Sequence, residues 1–127
     1  MTRTTIDALL RQARARLHRV GRTQARHAMD RGAMLIDIRT ESQRAADGWV
    51  PGAVVVARNV LEWRLDPDCP HRLAGAPALE DLVIVMCDAG YQSSLAAGTL
   101  QDLGFSRATD LDGGFQAWRA AGLPVAG

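Results

Sequence analysis

The sequence predicts an α/β domain: a mainly parallel sheet of about five strands, with helices on both faces. Three observations carry this. Short apolar runs alternate along the chain with segments of helical periodicity, which is the pattern of β-α-β units. The runs Met34-Leu35-Ile36-Asp37-Ile38 and Leu82-Val83-Ile84-Val85-Met86 are apolar almost throughout, as strands covered on both faces are. The 127 residues fit one domain with a real core, and no repeat, low-complexity tract or linker divides them.

Taken in order, Ile6, Leu9, Leu10, Ala13 and Leu17 recur at helical spacing and predict an amphipathic helix within residues 1–17, docked on a domain spanning 18–127. Arg11, Arg14 and Arg16 fall between the apolar positions and read as a solvated face. A short extended piece is expected over His18–Gly21. Thr23 is the expected cap of a second helix, with Ala25, Ala28 and Met29 on one face. A strand over 34–38 leads to a short helix from Glu41 to Asp47. The turn Gly48-Trp49-Val50-Pro51-Gly52 precedes a strand over Ala53–Ala57. One or two helical turns are expected over Asn59–Leu65, then a proline-punctuated loop over 66–77. The strand before Cys87 is followed by a helix over Ser93–Leu103 closed by Gly104. Arg107–Leu111 is the last strand, and Phe115–Ala121 the last helix, closed by Gly122 and Pro124.

The formal net charge of +1 argues against a nucleic-acid binder driven by bulk charge, and no apolar run approaches the ~20 residues of a membrane span. All fifteen basic residues are arginine. Residues 1–31 hold eight arginines against Asp7 and Asp30, but without the apolar segment of a targeting peptide. Two cysteines, Cys69 and Cys87, make no disulfide scaffold, and a reducing, cytoplasmic setting is the expectation. His18, His27 and His71 lack metal-ligand spacing, so no metal and no cofactor are expected.

Cys87 is the candidate nucleophile. It ends an apolar strand and faces a predicted helix N-terminus across the short loop Asp88-Ala89-Gly90-Tyr91-Gln92. Parallel sheets hold ligands at the carboxyl ends of their strands. That rule gathers Asp37–Arg39, Arg58-Asn59, the Cys87 loop and Asp112-Gly113-Gly114 at one end. The thiolate is the reactive form of cysteine, and unpaired helix N–H groups with loop amides favour it. Gly90 permits the backbone geometry of such a cradle. A phosphatase of the C-x5-R type needs an arginine closing the loop. Here Gln92, Ser93 and Ser94 stand in the candidate positions, and the spacing is one residue short. Sulfur chemistry suits the loop better than phosphate chemistry.

These residues resemble the rhodanese-like sulfurtransferases over roughly residues 18–125. Leu35-Ile36-Asp37-Ile38-Arg39 resembles the signature L-[IV]-D-[VI]-R. Glu41 with Gly48-Trp49-Val50-Pro51-Gly52-Ala53 resembles E…G-H-I-P-G-A. Val83–Cys87 with Gly90 and Ser93 resembles the strand and C-x-x-G-x-[RST]-S loop of the active site. Gly113-Gly114-Phe115-Gln116-Ala117-Trp118 and Ala121-Gly122-Leu123-Pro124-Val125 resemble G-G-x-x-A-W-x-x-A-G-x-P-V. The resemblance implies a three-layer α/β/α sandwich. It also implies a persulfide on Cys87, taken from a donor such as thiosulfate and passed to cyanide, a thiol or a protein acceptor. Monomer and homodimer are both left open, and no nucleic-acid or membrane partner is implied. A sulfur-carrier or protein-binding module is the alternative reading, and a phosphatase or arsenate reductase the third.

The chain departs from the family pattern at informative points. Trp49 replaces the usual histidine, Gln92 stands where a basic loop residue is common, and Asp88 adds a negative charge. A cation for an anionic donor must then come from a neighbouring segment, with Arg58 the first choice and Arg39 the second, although the resemblance implies that Arg39 is more often tied to a nearby carboxylate. Substrate-binding positions are therefore expected at Asp88, Ala89, Gly90, Tyr91, Gln92, Ser93, Arg58 and Arg39. Asp37, Trp49 and Asn59 are expected near the site. Gly113-Gly114 reads as a tight strand-to-helix turn, and Trp118 as core.

Overall fold

The computed structural model describes residues 3–127; of the N-terminal segment 1–17, Met1 and Thr2 lie outside the described residues. Helix α1 (Ile6–Ala15) starts where the Thr5 hydroxyl accepts the Ala8 N–H. Helix α2 (Arg22–Asp30) begins two residues earlier than the expected Thr23 cap implies. Gly21 is its N-cap, and the Gln24 side chain reaches back to accept the Gly21 N–H. Strand β1 (Met34–Asp37) leads to α3 (Glu41–Asp47), whose Thr40 cap and Gln43 form a reciprocal capping box. Strand β2 (Val54–Val55) is followed by a 3₁₀ turn (Arg58–Val60) and α4 (Leu61–Leu65). Strand β3 (Val83–Met86), α5 (Gln92–Asp102), β4 (Thr109–Asp110) and α6 (Gly114–Ala120) complete the chain.

The sheet has four strands rather than about five, all parallel, in the order β2-β1-β3-β4. The fifth, expected at His18–Gly21, is reduced to one bridge, Val20 beside Leu111. The reason is local. Leu17 N–H still bonds Arg14 at the end of α1, and Gly21 already caps α2. Only Val20 is left to pair, its N–H on the Asp110 carbonyl and its C=O accepting from Asp112. The strand expected over 53–57 is likewise short, because Ala57 is the N-cap of the 3₁₀ turn.

Strand side chains alternate between faces, and the core divides accordingly. Ile36, Ile38, Val83, Val85 and Cys87 point to the side packed by α5 and α4, with Leu61, Leu65, Ala97 and Leu100. Leu35, Ile84 and Met86 point to the other side, against Ala25 of α2 and Phe115 and Trp118 of α6. Cys87 thus continues the Val83–Val85 row one residue beyond β3, which carries its thiol under the start of α5. The connections from β1 and β3 run to opposite sides of the sheet, so the crevice at their carboxyl ends is the topological switch point where such folds bind ligands. No helix among the described residues is long and apolar enough to cross a membrane.

Candidate active site

Cys87 is 7 % exposed, and its Sγ accepts two backbone N–H groups, from Gly90 at 3.2 Å and Ser93 at 3.3 Å. One donor belongs to the loop and the other to the first turn of α5. The loop can turn this tightly because Gly90 holds φ at +89°, and a Cβ there would lie 2.8 Å from the Gly113 nitrogen. The thiol stands beside a cleft of about 380 Å³ lined by Ile38, Arg39, Thr40, Gln43, Arg58 and the loop residues Asp88, Ala89, Tyr91 and Gln92.

Helix α6 grips the same loop from the other side. The Phe115 N–H donates to the Cys87 carbonyl at 2.9 Å and the Gln116 N–H to the Asp88 carbonyl at 3.1 Å. Gly114, at φ +62°, lies so close that a Cβ would stand 2.6 Å from the Cys87 oxygen. Gly113-Gly114 is therefore more than the tight turn expected: it is the close approach that seats α6 on the loop. The Asp88 carboxylate accepts from the Gln116 side chain at 2.9 Å.

The two arginines expected to serve the pocket are both committed to carboxylates. Arg39 is 3 % exposed; it donates to both Asp37 oxygens and to the Gly48 carbonyl, and stacks 3.7 Å over the Phe115 ring. Asp37, fully buried, also accepts the Arg39 backbone N–H. Arg58 lines the cleft, but both Glu62 oxygens accept from its Nη1, at 2.9 and 3.0 Å, and Gln92 Oε1 accepts from its Nε at 3.0 Å. Burial raises the Glu62 pKa, but its own backbone N–H, Thr99 and Arg58 outweigh that and hold the carboxyl below the usual glutamate range.

Trp49 and Asn59 fall outside the cleft. Trp49 pairs with Ala126 of the C-terminal tail and is 45 % exposed. Asn59 lines a separate hollow with Trp63 and His71.

Three residues not singled out for this role, Asp110, Arg19 and Arg14, organise the loop. Asp110, fully buried at the end of β4, accepts from the hydroxyls of Ser93 and Ser94, each at 2.8 Å. The Arg19 guanidinium bonds both Asp110 oxygens, at 2.9 and 3.1 Å, and the Gly90 carbonyl at 2.8 Å. Arg14, from α1, donates to the same Gly90 carbonyl at 2.7 Å and to Ser94 Oγ at 3.1 Å. Burial lowers the Arg19 pKa, but the hydrogen bond and charge of Asp110, then Asp112 and Cys87, outweigh it and leave the pKa above the ordinary arginine value. An acid at the end of the last strand was the one available signal for Asp110, under the same carboxyl-end rule that located Cys87.

Residues 22–121 match the family model described as Rhodanese-like domain. The chain belongs to the rhodanese-like domain family. Among its relatives, a thiosulfate sulfurtransferase GlpE of Ectopseudomonas mendocina is 35% identical over 102 residues, 80% of this chain and 84% of that protein. The human single-domain sulfurtransferase TSTD1 superposes with a TM-score of 0.70 at 27% identity, over 80% of this chain and 95% of the other. A Rhodopseudomonas palustris protein of unknown function, described as a possible tyrosine phosphatase, covers 99% of both chains with a TM-score of 0.87 at 30% identity. In this rhodanese-like domain, α1 and Arg19 precede the stretch that the family model matches.

Proposed function

We propose that this rhodanese-like domain is a sulfurtransferase carrying sulfane sulfur as a persulfide on Cys87. The observation that carries the reading is the sulfur itself, held at the switch-point cleft by the Gly90 and Ser93 amides. Donors fixed around a sulfur stabilise negative charge on it without rearranging during the reaction. With thiosulfate, the Cys87 thiolate attacks the outer sulfur. A new S–S bond forms, the donor's S–S bond breaks, and sulfite leaves with the bonding pair. Cyanide or a thiolate then attacks the terminal persulfide sulfur, takes it, and returns Cys87 as thiolate. Arg58 is neutralised by Glu62, so the cleft offers a dianion little net attraction, and thiosulfate is a high-KM donor.

The test is mass spectrometry of the intact protein after incubation with thiosulfate and with smaller persulfide donors. Cys87 gains one sulfur atom, and cyanide removes it as thiocyanate; Cys87→Ser does neither. Absence of the adduct with every donor overturns the reading. The likeness to a chain described as a possible tyrosine phosphatase keeps a second activity worth measuring. The loop from Cys87 to Ser93 contains no arginine to clamp a phosphoryl group bidentately. Hydrolysis of p-nitrophenyl phosphate dependent on Cys87 would favour that class instead.

A further inference from the structure

Four guanidinium groups surround the Cys87 loop, and three are matched by carboxylates. Arg39 faces Asp37 at 2.9 Å and Arg58 faces Glu62 at 2.9 Å. Arg19 faces Asp110 at 2.9 Å and Asp112 at 3.2 Å. Arg14 differs. Among the described residues it forms no ion pair, and its acceptors, the Gly90 carbonyl and Ser94 Oγ, are neutral. Its guanidinium also lies 5.5 Å over the Tyr91 ring, and Tyr91 lines the Cys87 cleft. Its charge is thus without a direct ion pair and part-buried, where water screens it less than at the surface. The loop's one carboxylate, Asp88, has no cation of its own among the described residues and accepts from the neutral Gln116 amide.

The contact has a directional consequence. A trans peptide is planar, with its C=O and N–H pointing opposite ways. Arg14 and Arg19 both hold the Gly90 carbonyl, at 2.7 and 2.8 Å, so the Tyr91 N–H of the same peptide points away from the two guanidinium groups. The preceding amide, Gly90 N–H, and the later one, Ser93 N–H, already point at Sγ. Two cations on one carbonyl fix the peptide between these two donors.

We propose that Arg14, a residue of the N-terminal helix outside the matched family domain, is a positioning residue for the Cys87 loop and supplies the positive charge that offsets Asp88 there. This rests on Cys87 being the reacting sulfur. Arg14 pins the Gly90 carbonyl from behind and offsets the negative charge of Asp88, so that losing it makes the site more repulsive to anions. The basic N-terminal helix is then part of the sulfur site.

The test compares alkylation of Cys87 by iodoacetate, an anion, and iodoacetamide, its neutral analogue, at one pH. A purely structural change alters both rates together, whereas a lost local charge alters their ratio. In Arg14→Gln we expect iodoacetate to slow about threefold to tenfold relative to iodoacetamide. Arg14→Lys should restore the ratio, because the charge returns. It should still form the persulfide more slowly than wild type, because one ammonium cannot reproduce the guanidinium fork. A wild-type ratio in Arg14→Gln overturns the charge role. Wild-type persulfide formation in Arg14→Lys overturns the positioning role, and decides the matter if Arg14→Gln does not fold. If Cys87 gains no sulfur in wild type while the alkylation ratio still shifts, the sulfurtransferase reading fails and the role of Arg14 stands.

Discussion

Arg58 and Glu62 face each other one helical turn apart, both carboxylate oxygens accepting from a single guanidinium nitrogen at 2.9 and 3.0 Å. Arg58 lines the Cys87 cleft while Glu62 lies outside it, and Thr99 Oγ1 donates to the same carboxylate at 2.9 Å. Removing the acid frees a cation beside the thiol. Glu62→Gln should therefore lower the KM for thiosulfate by about threefold to tenfold, with less effect on a monoanionic aryl thiosulfonate. Steady-state kinetics with both donors check this, and equal KM values in wild type and variant for thiosulfate would contradict it.

The same pair sets a pH dependence of stability. Glu62 is held below the usual glutamate value of 4.5. Its contribution is full above that value and is lost as pH falls through the lower, folded-state pKa. The wild type should melt above Glu62→Gln near neutral pH, and the gap should close as pH falls from the ordinary glutamate value through the lower folded-state one. A gap that persists unchanged in acid would show that the carboxylate's charge is not its source.

Gly114→Ala tests the seat of α6 on the loop. The substitution forces a side chain onto φ +62° and places a Cβ 2.6 Å from the Cys87 carbonyl oxygen. Backbone in that region costs about 1–3 kcal/mol for a non-glycine residue, before the overlap is relieved. The melting midpoint should drop by several degrees, and the folded fraction should form persulfide more slowly as the Cys87 carbonyl is pushed away. Gly122→Ala is a control with the same backbone requirement, φ +74°, but open space around it. It should lose stability alone.

Asp110→Asn should be more damaging than its small change in shape suggests. The carboxylate is fully buried and joins Ser93, Ser94 and Arg19, which bonds Gly90 in turn. Removing one charge leaves Arg19 without its buried partner, and such breaks cost about 3–5 kcal/mol. Chemical denaturation measures the loss. A change below about 1 kcal/mol would mean that Asp112, at 67% side-chain exposure, suffices as the partner.

How far these relationships could be read from the chain depended on their range. β1 and β3 were legible because an apolar run is a local signal, and the face taken by Cys87 follows from counting two by two from Val83. The Arg58–Glu62 pair is local too, since residues four apart on a helix meet, yet Arg58 was expected to serve the pocket as a free cation and its acid was overlooked. Arg14 was not legible. Between Ala13 and Leu17 it looks like any solvated arginine, and its acceptor, Gly90, lies 76 residues away. Arg19 and Asp110 are separated by 91 residues. Trp49 misled for the complementary reason: it lies in a turn shared with the site's flank, but tertiary pairing with Ala126 turns it to the tail. The fifth strand was limited by neighbours on both sides, a conflict that residue preferences do not record.

Arg39 provides the last test, because it was expected to bind substrate and is instead enclosed. Its guanidinium donates to Asp37 and to the Gly48 carbonyl and lies against Phe115, with neither partner of the ion pair exposed. A residue that binds substrate shows its loss in KM; one that closes a buried ion pair shows it in stability. Arg39→Lys keeps the charge, but an ammonium cannot span Asp37 and Gly48 or stack on the ring in the same way. It should lower stability by about 3 kcal/mol while leaving the thiosulfate KM of the folded protein within about twofold. A large rise in KM with unchanged melting would place Arg39 in contact with the donor and return it to the binding set. The opposite result would leave Arg39 as the bolt between the ends of β1 and α3, on which the near wall of the Cys87 cleft rests.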